Sequence, residues 1–371
     1  MAYPMGRSLS ILAFALALVV SSGGSGQNHP AEKKPTLEKI RALRLQHAAG
    51  RVPVYYSAGF EARALKYQKT LMACQQWYDQ QLGTHVDFTL AVLDKADWEK
   101  ATPVEYPMPH NMGVYQSLPP PVVILPARFE DFPHSAEFTE NTELLVENIS
   151  YHELGHIYAH FMDMESDDNF LAELYANILM VSFVRAERPD MLFFLQGPSA
   201  KLPPERYTSM EDLQYLAGDV GMTNYGWFQF QVYRLADLLL ENKPLPKLLA
   251  ELKKAFDDLT PRPFRYVAAQ LETIRPGIAR EMGALWKPTT IPDAPPKPCS
   301  QTARSGKDSD LVVLNSSSTP VKVTSGKDAP VAVASNSWQT FSGHSGTFVQ
   351  IDTGACFLFA DEPLIARIPA N

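Results

Sequence analysis

Residues 151–160 read YHELGHIYAH, and the HExxH within them constrains this chain more than any other feature. Two histidines four apart, His152 and His156, project from one side of a helix, so both imidazoles reach one metal ion at about 2.0–2.1 Å. That demands a helix here, and Leu144, Leu145, Ile149, Leu154 and Ile157 give it an apolar face. Glu153, one residue along, would meet a water at the ion instead of the ion itself, which is the place for a general base. Zinc, one per chain, is the expected cofactor, since imidazole and carboxylate ligands with one position left open form its catalytic pattern.

Such a site needs a third protein ligand. His160 lies about 6 Å further along the helix than His156 at 1.5 Å per residue, which carries it past a point between the first two histidines. Glu173 fits better, because it opens the next helix after a turn that folds the chain back. Asp167 and Asp168 sit in that turn, where acidic side chains favour a helix N-terminus. Asn177 follows Glu173 by one helical turn, where its carbonyl would hold the other imidazole hydrogen of His152; the alternative is a plain polar helix residue.

Around this centre the chain divides by composition. Arg7 followed by the apolar run Leu9 to Val20 and then SSGGSGQ has the layout of a secretory signal peptide over residues 1–26, so a secreted or periplasmic location is expected. The run is shorter than the roughly 20 residues a membrane span needs, and no later segment reads as one. Residues 27–50 read as a helical segment. Phe60, Ala64, Tyr67, Leu71, Cys74, Tyr78 and Leu82 mark a half-buried helix with Cys74 as a core filler. Val86, Phe88, Leu90 and Val92 alternate as in a strand with one buried face, and VVIL at 122–125, preceded by three prolines, suits an edge strand. Thr208 and Glu211 have capping-box spacing, and helical periodicity continues to the end of a domain at 51–286. A Pro-rich linker at 287–304 leads to six short Val- and Phe-rich runs, which predict a small antiparallel all-β domain at 305–371. Cys299 and Cys356 in that region are expected to pair after export; the alternative is a free linker thiol and a buried hydrophobe. A formal net charge of −8 excludes nucleic acid as a partner, because phosphate binding needs a basic surface.

HELGH together with FLAELYA at 170–176 resembles the gluzincins, the zinc peptidases that include thermolysin and the aminopeptidase N family. Glu173 falls on the ligand glutamate of that pattern, and Asn177 stands where thermolysin-like enzymes place aspartate. The metzincin pattern is excluded, since it needs Gly and His where this chain has Ala159 and Met162. NYGWFQFQVYRLADLL at 224–239 is similar to the segment whose tyrosine stabilises the oxyanion; Tyr225 is the matching residue and Tyr233 the second choice. GVYQS at 113–117 occupies the place of the loop that binds substrate backbone, which makes Gly113 and Tyr115 candidate substrate contacts. Gln116 stands there in place of the glutamate that anchors a free amine, so internal peptide bonds are the expected target.

The resemblance implies an α+β zincin-like catalytic domain, a peptide or protein substrate, and hydrolysis by water with Glu153 as base. Two rivals remain from sequence: a metal-bound protein without activity, and a cell-surface binder working through exposed β-domain aromatics such as Trp338 and Phe341. No residue in the β domain indicates its partner.

Overall fold

The computed structural model describes residues 36–112, 120–131, 142–164, 166, 168–192, 208–216, 221–257, 260–283, 287–300, 306–326 and 328–370. The segment 1–26 expected to be a leader, the candidate substrate contacts Gly113 and Tyr115 with Gln116, and Asp167 lie outside them.

Five strands form a mixed sheet in the order β1-β2-β3-β5-β4: β1 (Gln46–Ala48), β2 (Val54–Tyr56), β3 (Thr89–Leu93), β4 (His110–Met112) and β5 (Val122–Pro126). The inner strands β2, β3 and β5 are parallel, and β1 and β4 run antiparallel at the two edges. β3 and β5 are buried on both faces; for β3 the alternation of Val86, Phe88, Leu90 and Val92 had suggested one. Leu90, Val92, Val123 and Leu125 join the main core; Ala91, Leu93, Val122 and Ile124 join a smaller core with Leu37, Ile40 and Trp98 of helices α1 (Thr36–Ala42) and α3 (Lys95–Ala101). Helices on both faces are what a parallel inner sheet requires. Nor is β5 an edge strand. The three prolines at its entry precede the first paired residue, and the carbonyl of Pro121 still accepts from Thr89 N at 2.9 Å, while Pro126 is the last paired residue, opposite Leu93. The edge belongs to β4.

Helix α2 (Glu61–Leu82) buries Ala64, Tyr67, Leu71, Cys74 and Tyr78 on the main core face of the sheet; Cys74 is a buried free thiol. Beside it lie α4 (Thr142–Phe161) and α5 (Asn169–Glu187), then α6 (Met210–Tyr215), α7 (Gly221–Leu239), α8 (Leu245–Ala255), α9 (Phe264–Ile274) and α10 (Ile278–Glu281). The capping box before α6 is Ser209 with Asp212, one residue beyond the expected pair. Asp212 holds the cap and also accepts from Thr289 Oγ1, Thr290 N and Thr290 Oγ1, which ties the Pro-rich segment to the helices. Among the described residues no helix is long and apolar enough to cross a membrane.

Among the described residues the C-terminal region has seven strands: β6 (Asp308–Asn315), β7 (Val321–Ser325), β8 (Val331–Val333), β9 (Ser337–His344), β10 (Phe348–Ile351), β11 (Cys356–Leu358) and β12 (Leu364–Ile368). A four-stranded antiparallel sheet, β11-β10-β7-β8, faces a three-stranded sheet, β12-β6-β9. The region is not antiparallel throughout, because β12, the strand the sequence pattern missed, runs parallel to β6. The continuous apolar run of β6 reflects burial on both faces: Leu311 and Val313 face the other sheet, while Val312 and Leu314 enter the main core. Trp338 is not an exposed binding aromatic. It is 8% exposed, lies 5.0 Å edge-on from Tyr215, and donates its indole N–H to Arg262 O at 3.2 Å. Phe341 is partly buried against the β core. A disulfide joins Cys299 and Cys356, with Cα atoms 5.2 Å apart.

Candidate metal centre

Two packed helices place the cluster, and a glycine sets how closely they approach. A Cβ built on Gly155 of α4 would lie 2.7 Å from the carbonyl oxygen of Ala176 and 3.1 Å from its Cα, so only glycine lets α5 come so near. That approach brings Glu173 over the histidines of α4. Asp168 starts α5 in register, accepting from Leu171 N at 3.2 Å as its N-cap.

His152, His156 and Glu173 converge on one point. The two Nε2 atoms are 3.0 Å apart, and Glu173 Oε2 lies 3.1 Å from that of His152 and 3.7 Å from that of His156. Three corners of a tetrahedron about an ion at 2.0–2.1 Å are separated by roughly 3.3–3.4 Å, so the spacing suits a small four-coordinate cation. The protonation pattern agrees. His152 Nδ1 faces Asn177 Oδ1 at 2.8 Å, and an acceptor there puts the ring proton on Nδ1 and leaves a lone pair on Nε2. Burial lowers the His152 pKa but Glu173 and Glu153 more than offset it, so without a cation between them Nε2 takes a proton and donates to Glu173 Oε2, 3.1 Å away, in the place an ion would occupy. The donor set of two imidazoles and a carboxylate therefore fits a divalent ion. Burial pushes the Glu173 carboxyl up, but the adjoining His156 and His152 more than offset it and hold it well below the ordinary range. Glu173 is thus an anion ready to ligate.

Glu153 reaches β4, where its Oε2 accepts from Asn111 Nδ2 at 2.7 Å. Burial raises its pKa above the usual carboxylate value against the pull of His152, His156 and Asn111. A carboxylate made more basic in this way suits proton abstraction. Tyr225 is brought to the cluster, its hydroxyl 3.4 Å from Glu173 Oε1. Burial and the charges of Glu173 and Glu153 lift its pKa well above the ordinary phenol, so it stays a proton donor. Tyr233 is buried nearby and sits edge-on against Phe230. His160 is away from the point of convergence, edge-on to Phe161.

Two residues here escaped the sequence reading. Asn111 sits on the three-residue edge strand β4, too short to show a period. Gln229 of α7 donates to Glu173 Oε2 at 2.7 Å and to Tyr225 Oη at 2.7 Å, and accepts from Asn177 Nδ2 at 3.1 Å. Its only sequence signal is its place one helical turn after Tyr225.

No protein-family model matches this chain, and no curated protein matches it. Among solved structures it is similar to Legionella pneumophila aminopeptidase A in complex with aspartic acid, at 13% identity and a TM-score of 0.39. The match covers 81% of this chain and 35% of that one, so the chain spans about a third of that structure's length.

Proposed function

We propose that this protein is an exported, zinc-dependent peptidase with a zincin-like fold and with Glu153 as general base. The observation that carries the reading is the convergence of His152, His156 and Glu173 beside a buried, basic Glu153 and next to an edge strand. When bound, the ion supplies a Lewis acid that polarises a carbonyl and makes water easier to deprotonate. Glu153 takes the proton of the attacking water and returns it to the leaving amine. Asn111 donates to one carboxylate oxygen and so leaves the other free for the water. Tyr225, still protonated, donates to the oxyanion that develops. β4 presents the open edge of the sheet beside Glu153, and an extended peptide adds to such an edge through main-chain hydrogen bonds. A peptide or protein is therefore the substrate class. Export is supported by the leader at 1–26 and by the Cys299–Cys356 bond, which persists in an oxidising compartment.

The test is Glu153→Gln, assayed on blocked peptides and on single amino-acid anilides. The variant should keep its zinc and lose about a hundredfold or more in turnover, the usual contribution of a general base. Zinc-loaded variant and parent of equal activity would falsify the mechanism.

A further inference from the structure

Gln229 has its whole side-chain amide engaged, and the directions of its hydrogen bonds are all fixed by one carboxylate. Glu173 only accepts, so the amide nitrogen of Gln229 must face it, as it does at 2.7 Å. The amide oxygen of Gln229 then faces Asn177, which must present its nitrogen, at 3.1 Å. Asn177 in turn must present its oxygen to His152, at 2.8 Å, and His152 must carry its proton on Nδ1. The lone pair of His152 Nε2 is left pointing back at Glu173 Oε2, 3.1 Å away, where the chain of bonds began. The second hydrogen of the Gln229 amide goes to the Tyr225 oxygen at 2.7 Å. A phenol oxygen that accepts there spends its single proton elsewhere, toward the cluster. Gln229 and Asn177 are 8% and 0% exposed, so water offers no easy substitute for these bonds.

We infer that Gln229 is the positioning residue of the metal centre: through Asn177 it selects the His152 tautomer with a free Nε2, while it aims Glu173 and Tyr225 directly. The inference rests on the zinc-site reading of His152, His156 and Glu173. It assigns to Gln229 a role in metal affinity, with the hydroxyl direction of Tyr225 as a second consequence. Gln229 touches neither the ion nor the reacting atoms.

Three measurements test it on the full chain. Zinc affinity, read by competition with a chromogenic chelator, should fall about 10- to 100-fold in Gln229→Met, which keeps the length of the side chain and removes its hydrogen bonds. Gln229→Glu should lose at least as much, because it sets a carboxylate against Glu173 where an N–H was. Nitrogen-15 spectra of the metal-free parent, taken at a pH high enough that His152 is neutral, should show its proton on Nδ1, and in Gln229→Met a mixture of tautomers. A folded Gln229→Met that binds zinc within about threefold of the parent overturns the inference. So does a neutral His152 in the parent with its proton on Nε2, which decides the matter even where the variant fails to fold. A parent that takes up no zinc fails differently, since it removes the metal reading itself.

Discussion

Asp168, at the head of the helix that carries Glu173, is fully buried, and its environment gives the fold a pH signature. Burial raises its pKa to about 7 against the hydrogen bonds from Leu171, Arg262, Phe170 and Gln214 that favour the charged form. An unfolded aspartate titrates near 3.9. Between those two values the native state holds more protons than the unfolded one, so this group's contribution to stability falls as pH rises from about 4 to about 7 and is level above. Asp168→Asn should remove that fall. Denaturant titrations of the metal-free proteins at a series of pH values would show it as a difference, parent minus variant, that declines across this window. A difference equal at pH 4 and pH 8 would mean that the capping bonds outweigh burial. Single residues were also where sequence reasoning reached its limit. Asn111 and Gln229 are polar side chains whose carboxylate partners lie 42 and 56 residues away, and apart from the turn that separates Gln229 from Tyr225 nothing local distinguishes them from surface residues. The histidine pair was legible because its partners lie four apart on one helix.

At the scale of elements, the close crossing of α4 and α5 makes the two glycines near the cluster behave oppositely. A methyl group on Gly155 meets the backbone of Ala176, which does not yield as a flexible side chain would. Gly155→Ala should destabilise the protein by about 1–3 kcal/mol and weaken zinc binding, because α5 must carry Glu173 away from the histidines. Gly226 of α7 has open space where its Cβ would lie, and Gly226→Ala should stabilise by about 0.5–1 kcal/mol with zinc affinity unchanged. Thermal melts with and without chelator check both, and an innocuous Gly155→Ala would show that the helices have room to spare. Helices α2, α4, α5 and α7 were readable because each repeats its apolar residues over several turns. The strands were harder. Burial on both faces makes the runs of β5 and β6 apolar without a period and made the alternation through β3 point to one buried face where there are two, and the prolines before β5 suggested an edge because sequence does not show which residues pair.

The whole molecule behaves as a larger unit than its composition suggests. Val312, Leu314, Trp338 and Ile365 of the C-terminal region share the main core with α4, α5 and α7. Polar bonds follow the same seam: Arg262 Nη1 donates to Ser335 O at 2.9 Å, and Thr340 Oγ1 to Tyr215 O at 3.0 Å. From there Gln214 links Arg262 O to Asp168 at the head of α5. Trp338→Ala should therefore cost about 3–5 kcal/mol and lower the melting of the whole chain in one calorimetric transition. A variant in which the β strands alone melt early would show two independent units. The Cys299–Cys356 bond has one more consequence, for what a single cut in the chain can do. The bridged residues are 57 apart in sequence, and β6 to β10 all lie between them. A single nick anywhere in that interval cuts the chain but frees nothing, since each half stays tethered through sulfur and remains seated in the shared core. Damage of this kind would leave the molecule in one piece until it met a reductant.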